Sequence, residues 1–131
     1  AEIEDLLYCR SGLLGVSGIS SDMRTLLASA DPHAAEAVDL FVSQAARQIA
    51  ALAATLGGLD GLIFTAGIGE NAPAIRERIC ARAAWMGIAL DPVANRADSP
   101  LISTPQSPAD VWIIPTDEEL MIARHTSAFI A

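Results

Sequence analysis

The sequence predicts an α/β fold, and three observations carry that expectation. Two short apolar runs, Leu62-Ile63-Phe64 and Val111-Trp112-Ile113-Ile114, have the length and character of strands in a covered parallel sheet. Each is followed by a helix-start pattern, so strands and helices alternate. A long amphipathic pattern precedes the first run. Val38, Phe41, Val42, Ala45, Ile49, Leu52, Ala53 and Leu56 recur at spacings of three and four. Two strands are too few for a complete sheet. Further strands are expected from outside this sequence, or a second chain is expected to cover the edges.

In chain order, Ala1 to Tyr8 reads as the end of a helix, broken by Ser11-Gly12. Residues 11–22 hold three Gly and four Ser among small apolar residues and read as a structured loop. Asp31-Pro32 opens the amphipathic helix, with Asp31 as N-cap and Pro32 in the first position. Gly57-Gly58 ends it. After the first strand come Gly67 and Gly69, which can take positive φ and let a ligand approach the peptide plane. Asn71 ahead of Pro73 reads as the cap of the next helix, expected from about Ala72 to Trp85. Ile75, Ile79 and Ala83 are expected on its buried face, with Arg76, Glu77 and Arg82 exposed. Residues 91–110 carry four prolines and read as loop, with Leu101 to Thr104 as a candidate edge strand. Pro115 closes the second strand, and a last helix runs from Asp117 towards Phe129.

Composition narrows the function. The 131 residues fit one compact domain or half of a larger one. Hydrophobic content of 52% supplies a core, and an aromatic share of 5% makes that core aliphatic. Net charge is -8, which disfavours nucleic acid as a partner. All eight basic residues are Arg, which excludes a P-loop lysine and Schiff-base chemistry. Cys9 and Cys80 stand alone and are expected as buried free thiols in a reducing cytoplasm. No secretory pattern opens the chain, and no run approaches the ~18 apolar residues of a membrane span. A cytoplasmic protein without membrane contact is expected.

Three segments are candidates for chemistry. In Ser20-Ser21-Asp22-Met23-Arg24, the carboxylate can hold hydroxyls and the guanidinium can stack on a base or pair with phosphate. The alternative is an Asp22 cap with a solvated Arg24. In the glycine turn, Gly67, Ile68 and Gly69 can lie against a flat ligand, Glu70 and Asn71 offer polar contacts, and Ile75 offers an apolar wall. The alternative is a tight turn with no ligand. In Thr116-Asp117-Glu118-Glu119, Thr116 and Glu119 fit a capping box, which leaves Asp117 and Glu118 free. A carboxylate at a strand's carboxyl end is also where Mg²⁺ is held against phosphates. His33 and His125 are expected on the surface.

SGLLGVSGISSDMR, GLDGLIFTAGIGENAPAIRERIC and VWIIPTDEELMIARHT, in this order, resemble the C-terminal part of the acetate kinases, the acetokinase family. That family lies within the actin, hexokinase and Hsp70 superfamily of ribonuclease H-like ATPases. The resemblance runs through essentially the whole chain, and the three motifs are specific together. Propionate kinases share them closely, butyrate kinases more loosely. The resemblance implies that residues 1–131 form the C-terminal portion of a nucleotide-binding domain, with the sheet incomplete and the N-terminal domain absent. It implies reversible phosphorylation of acetate by ATP to give acetyl phosphate and ADP, with Mg²⁺, in a homodimer. Carried over residue by residue, Asp22, Met23 and Arg24 match a nucleotide-contacting segment. Gly67, Ile68, Gly69, Glu70 and Asn71 match the adenosine turn, Ile75 an adenine-side contact, and Glu118 the metal-associated glutamate. Arg24 then lies along the nucleotide and is not the arginine on the transferring phosphoryl group. The family's Asn-rich start, catalytic Asp, phosphate-binding His and two active-site Arg have no match here. A nucleotide-side half-site, inactive alone, is the expectation. The alternatives are a propionate kinase fragment, a non-catalytic binding or interaction module, and one chain of a split enzyme. The opening without Met, inside a helix, favours a fragment.

Overall fold

A computed structural model describes residues 2–130, with the side chains of Glu118 and Ile130 outside the described set. The helices are α1 (Glu2–Cys9), α2 (Gly12–Ser17), α3 (Met23–Ala28), α4 (Pro32–Leu56), α5 (Ala66–Asn71), α6 (Pro73–Ala83), α7 (Pro92–Arg96) and α8 (Glu118–Ile130). The strands are β1 (Gly61–Phe64) and β2 (Asp110–Ile113). They pair in parallel, with Leu62 beside Val111 and Phe64 beside Ile113. A parallel pair needs a crossover, and α5, α6 and α7 lie within it.

The long helix forms as its end signals dictate. The Asp31 carboxylate accepts a hydrogen bond from the His33 N–H at 2.8 Å, and Pro32 takes the first position. Gly57 closes the helix at φ 80°, where a side chain would be strained. Ala34, Ala37, Val38 and Val42 are buried, and α2, α3 and α6 pack against this helix. The apolar stripe is covered unevenly. Leu52 and Leu56 of the expected core face are 63% and 78% exposed.

Several expectations need correction. Residues 11–22 contain the helix α2, with Gly12 and Gly18 at positive φ at its two ends and Gly15 close against the Arg10 carbonyl, so this stretch is not all loop. Only one face of the sheet is covered. Phe64, Val111 and Ile113 are buried, while Ile63 is 56% exposed. Helix α6 stops at Ala83, and a 3-10 turn over Ala84–Met86 leads to Gly87 at φ 93°. Leu101 to Thr104 is no continuous strand. Leu101 bridges Trp112 and Ser103 bridges Leu90, both antiparallel. Cys80 is buried as expected, but Cys9 is exposed.

Candidate functional site

The exit of β1 is unusual in where its backbone turns. Ala66, a residue with a Cβ, sits at φ 58°, and neither Gly67 nor Gly69 does. The expected positive φ at the glycines is therefore corrected. Both glycines lie inside the short helix α5, and they serve different ends. A Cβ at Gly69 would stand 3.2 Å from the carbonyl carbon of Phe64, so this position must be bare for the helix to fold over the strand end. A Cβ at Gly67 would meet nothing within 4 Å. Asn71 is not the expected cap. It ends α5 with its side-chain N–H donating to the Gly67 carbonyl at 2.9 Å, and Ala72 takes the cap position before Pro73.

Gly67, Ile68, Asn71 and Ala72 form one wall of an open cleft of about 640 Å³, and Ser21, Asp22, Met23 and Arg24 form the other. The fold thus joins two of the three candidate segments. On the far wall the Asp22 carboxylate caps α3 by accepting from the Arg24 N–H at 2.7 Å. Its second oxygen accepts from the Arg24 guanidinium at 2.8 Å. Those bonds from Arg24, side chain first, hold the Asp22 carboxyl down at about 2. The same pairing raises the Arg24 pKa. Asp22 is a cap, and Arg24, 88% exposed, stands at the cleft mouth. Ile75 does not line this cleft, since it is 1% exposed in the core.

The back of α5 is held by Arg76. The sequence pattern placed this residue on the surface, yet it is fully buried. Its guanidinium donates to the carbonyls of Gly69 and Glu70 at 2.9 and 2.8 Å. It also donates to the side chain and carbonyl of Asn95, and it pairs with Asp98. A buried cation persists only when so partnered. The spacing Arg76, Cys80, Ala83 follows one helical face, and that was the available signal.

The third segment is also rearranged. The expected Thr116–Glu119 capping box is absent. Asp117 caps α8 instead, its carboxylate accepting from the Leu120 N–H at 2.8 Å, so Asp117 is not free. The Thr116 N–H and hydroxyl donate to Glu70, at 2.9 and 3.1 Å. The same Glu70 oxygen accepts from the Ala66 N–H at 2.7 Å. These bonds, led by that of the Thr116 N–H, lower the Glu70 pKa. Glu118, the expected metal residue, has its side chain outside the described set. Among the described residues no group of three or more His, Cys, Asp or Glu is placed to hold a metal. His33 and His125 are exposed.

A profile of the Acetokinase family matches residues 1–124. An acetate kinase of Rhodopseudomonas palustris is 65% identical over 126 residues, which cover 95% of this chain and 32% of that protein. The solved acetate kinase of Entamoeba histolytica superposes with a TM-score of 0.90 at 33% identity, covering 98% of this chain and 35% of that one. A solved propionate kinase from Francisella tularensis gives 0.86 at 37% identity, covering 94% and 32%. The chain spans about a third of the length of these relatives. The α/β architecture, with its two-stranded sheet, is part of an actin- and hexokinase-like ATPase fold. The chain belongs to the acetokinase family.

Proposed function

We propose that the cleft between α3 and α5 receives the adenine nucleotide of an acetate kinase, which passes phosphoryl between ATP and acetate to give ADP and acetyl phosphate. The observation that carries this reading is the meeting of Asp22-Met23-Arg24 with Gly67-Ile68-Asn71 across one open cleft. The bare Cα of Gly67 leaves room for a flat ligand at the backbone. Ile68 supplies an apolar surface, Asn71 an amide, and Arg24 a planar cation for stacking or for phosphate. The acetate kinase at 65% identity favours acetate over propionate.

Mg²⁺ suits the donor set at the β2 exit. It binds through one or two carboxylates, with substrate phosphates and waters completing the shell, so it needs no protein cage. Glu118 is the residue we assign to it, on its match to the metal-associated glutamate that the family resemblance implies; Asp117 is engaged as a cap and Glu70 by three donors. When bound, the ion neutralises charge on the nucleotide phosphates. The reading includes a cytoplasmic homodimer. No helix among the described residues is long and apolar enough to cross a membrane.

Turnover by this chain alone is not expected. The cleft offers one guanidinium, Arg24, and Asp22 already engages it, whereas phosphoryl transfer depends on positioned charge around the γ-phosphoryl group. Calorimetry with ADP tests the site. The chain should bind ADP, and Gly67→Val, which fills the open space, should abolish binding. Equal affinity in both would rule the cleft out.

A further inference from the structure

We propose that Glu70 is a positioning residue that fastens the nucleotide-facing turn to the exit of β2, so that the two ends of the site hold one geometry. This rests on the nucleotide reading of the cleft.

Helix α5 has only six residues, too few to be stable by itself. Its two sides do different work. Gly67, Ile68 and Asn71 face the cleft, whereas the Gly69 and Glu70 carbonyls are taken by Arg76. The Glu70 side chain does neither of these jobs, and it does not line the cleft. One of its oxygens accepts three hydrogen bonds. The first comes from Ala66, whose N–H lies in the first turn of α5 and has no backbone carbonyl partner within that helix. Ala66 is also the residue held at φ 58°, a conformation that costs an L-residue about 1–2 kcal/mol. The other two come from Thr116, directly ahead of the cap Asp117 and of Glu118. One carboxylate thus holds the strained start of the nucleotide turn and the start of the acidic helix. It bridges 46 residues of sequence.

The function requires an acceptor oxygen in that place, and the charge only strengthens it. Glutamine supplies the same acceptor, and alanine supplies none. That separates positioning from contact with the ligand. Two measurements on the chain test it: calorimetry with ADP, and amide spectra by NMR without nucleotide. Glu70→Ala should weaken ADP binding about tenfold and Thr116→Val about threefold, while Glu70→Gln stays within about threefold of wild type. Because Thr116 acts through Glu70, the double variant Glu70→Ala with Thr116→Val should bind no more weakly than Glu70→Ala. In the spectra, Thr116→Val should shift the Ala66 and Gly67 amide signals, and Glu70→Gln should shift that of Thr116. Additive losses in the double variant, or an Ala66 signal unmoved by Thr116→Val, would overturn the proposal. If Glu70→Ala fails to fold, Glu70→Gln and Thr116→Val decide it by the same spectra. If the wild-type chain binds no ADP, the nucleotide reading falls, and the spectra alone decide whether Glu70 couples the two segments.

Discussion

Strands β1 and β2 end side by side and each leads into a helix, but the first exit is anchored in the core and the second hangs from its surface. At the first, Gly69 lets α5 press onto Phe64, and buried Arg76 grips two of its carbonyls from behind. At the second, the Ile114 N–H still pairs with Phe64, after which Thr116 is held by Glu70 and Asp117 caps α8. The helix that follows is exposed, with Leu120, Met121 and Ile122 at 43%, 48% and 66%. The comparison teaches that two turns of similar sequence grammar can differ in what fixes them. The α5 wall of the cleft is set by the core. The segment with Glu118 takes its place from that wall.

The sharpest way to break this contrast is Arg76→Met. It removes the buried donor of five hydrogen bonds and leaves the Asn95 side chain and three carbonyls short of partners. A loss of about 3–5 kcal/mol is expected in urea melts. Arg76→Lys should recover little, since a single ammonium lacks the planar fork. A loss below about 1 kcal/mol would place the anchor of α5 elsewhere.

The glycines give the next effect. Gly69→Ala pushes a Cβ to 3.2 Å from Phe64 and should cost about 1–3 kcal/mol by overpacking. Gly67→Ala meets open space and should leave stability unchanged or slightly raised. Melting curves compare the two. If they fall together, the division of α5 into a packed side and an open side is wrong.

At the β2 exit, Asp117→Ala should cost about 1 kcal/mol as a lost cap. Glu119→Ala should cost almost nothing, contrary to the capping box that its sequence suggests. Glu118→Ala should leave the melting curve in place and weaken the Mg²⁺ dependence of ADP binding in calorimetry. If Glu119→Ala carries the melting defect, the cap is assigned to the wrong residue.

The smallest effect concerns the Asp22–Arg24 clasp on the opposite wall. Its carboxyl is lowered from 3.8 to about 2. A depressed carboxyl stabilises the fold above its unfolded pKa and loses that contribution as pH falls through the folded one. The clasp should therefore contribute fully at neutral pH, its contribution should fade as pH falls below about 4, and the carboxyl itself should be half protonated only near pH 2. A carboxyl NMR titration of Asp22 with a midpoint near 4 would show that Arg24 does not hold it.

What was legible in the sequence was local. Asp31, Pro32 and Gly57 mark the ends of α4 through neighbours in the chain, and both strands announced themselves as apolar runs closed by turn residues. What was not legible depends on partners far along the chain. Arg76 reads as a surface cation until Asn95 and Asp98, 19 and 22 residues away, are folded against it. Thr116 and Glu119 satisfy a capping pattern, but Glu70 takes the threonine and Asp117 takes the cap. Gly67 and Gly69 look alike in the sequence but differ in the fold, since Gly67 faces open space and Gly69 packs on the strand end. For the resemblance to acetate kinases, spacing and identity of motifs sufficed, because no contact needs to be known to recognise them.

Burial of Cys80 gives the molecule a chemical clock. The thiol is 2% exposed and burial pushes its pKa up to about 12, against a weaker pull from Arg76. At pH 8 only roughly one such thiol in ten thousand is ionised, so reagents that attack thiolates find almost nothing in the closed molecule. Cys9 is exposed and reacts without waiting. Once Cys9 is consumed, the slow second modification counts how often α6 lifts from its neighbours. The helix that carries Arg76 thus reports its own breathing.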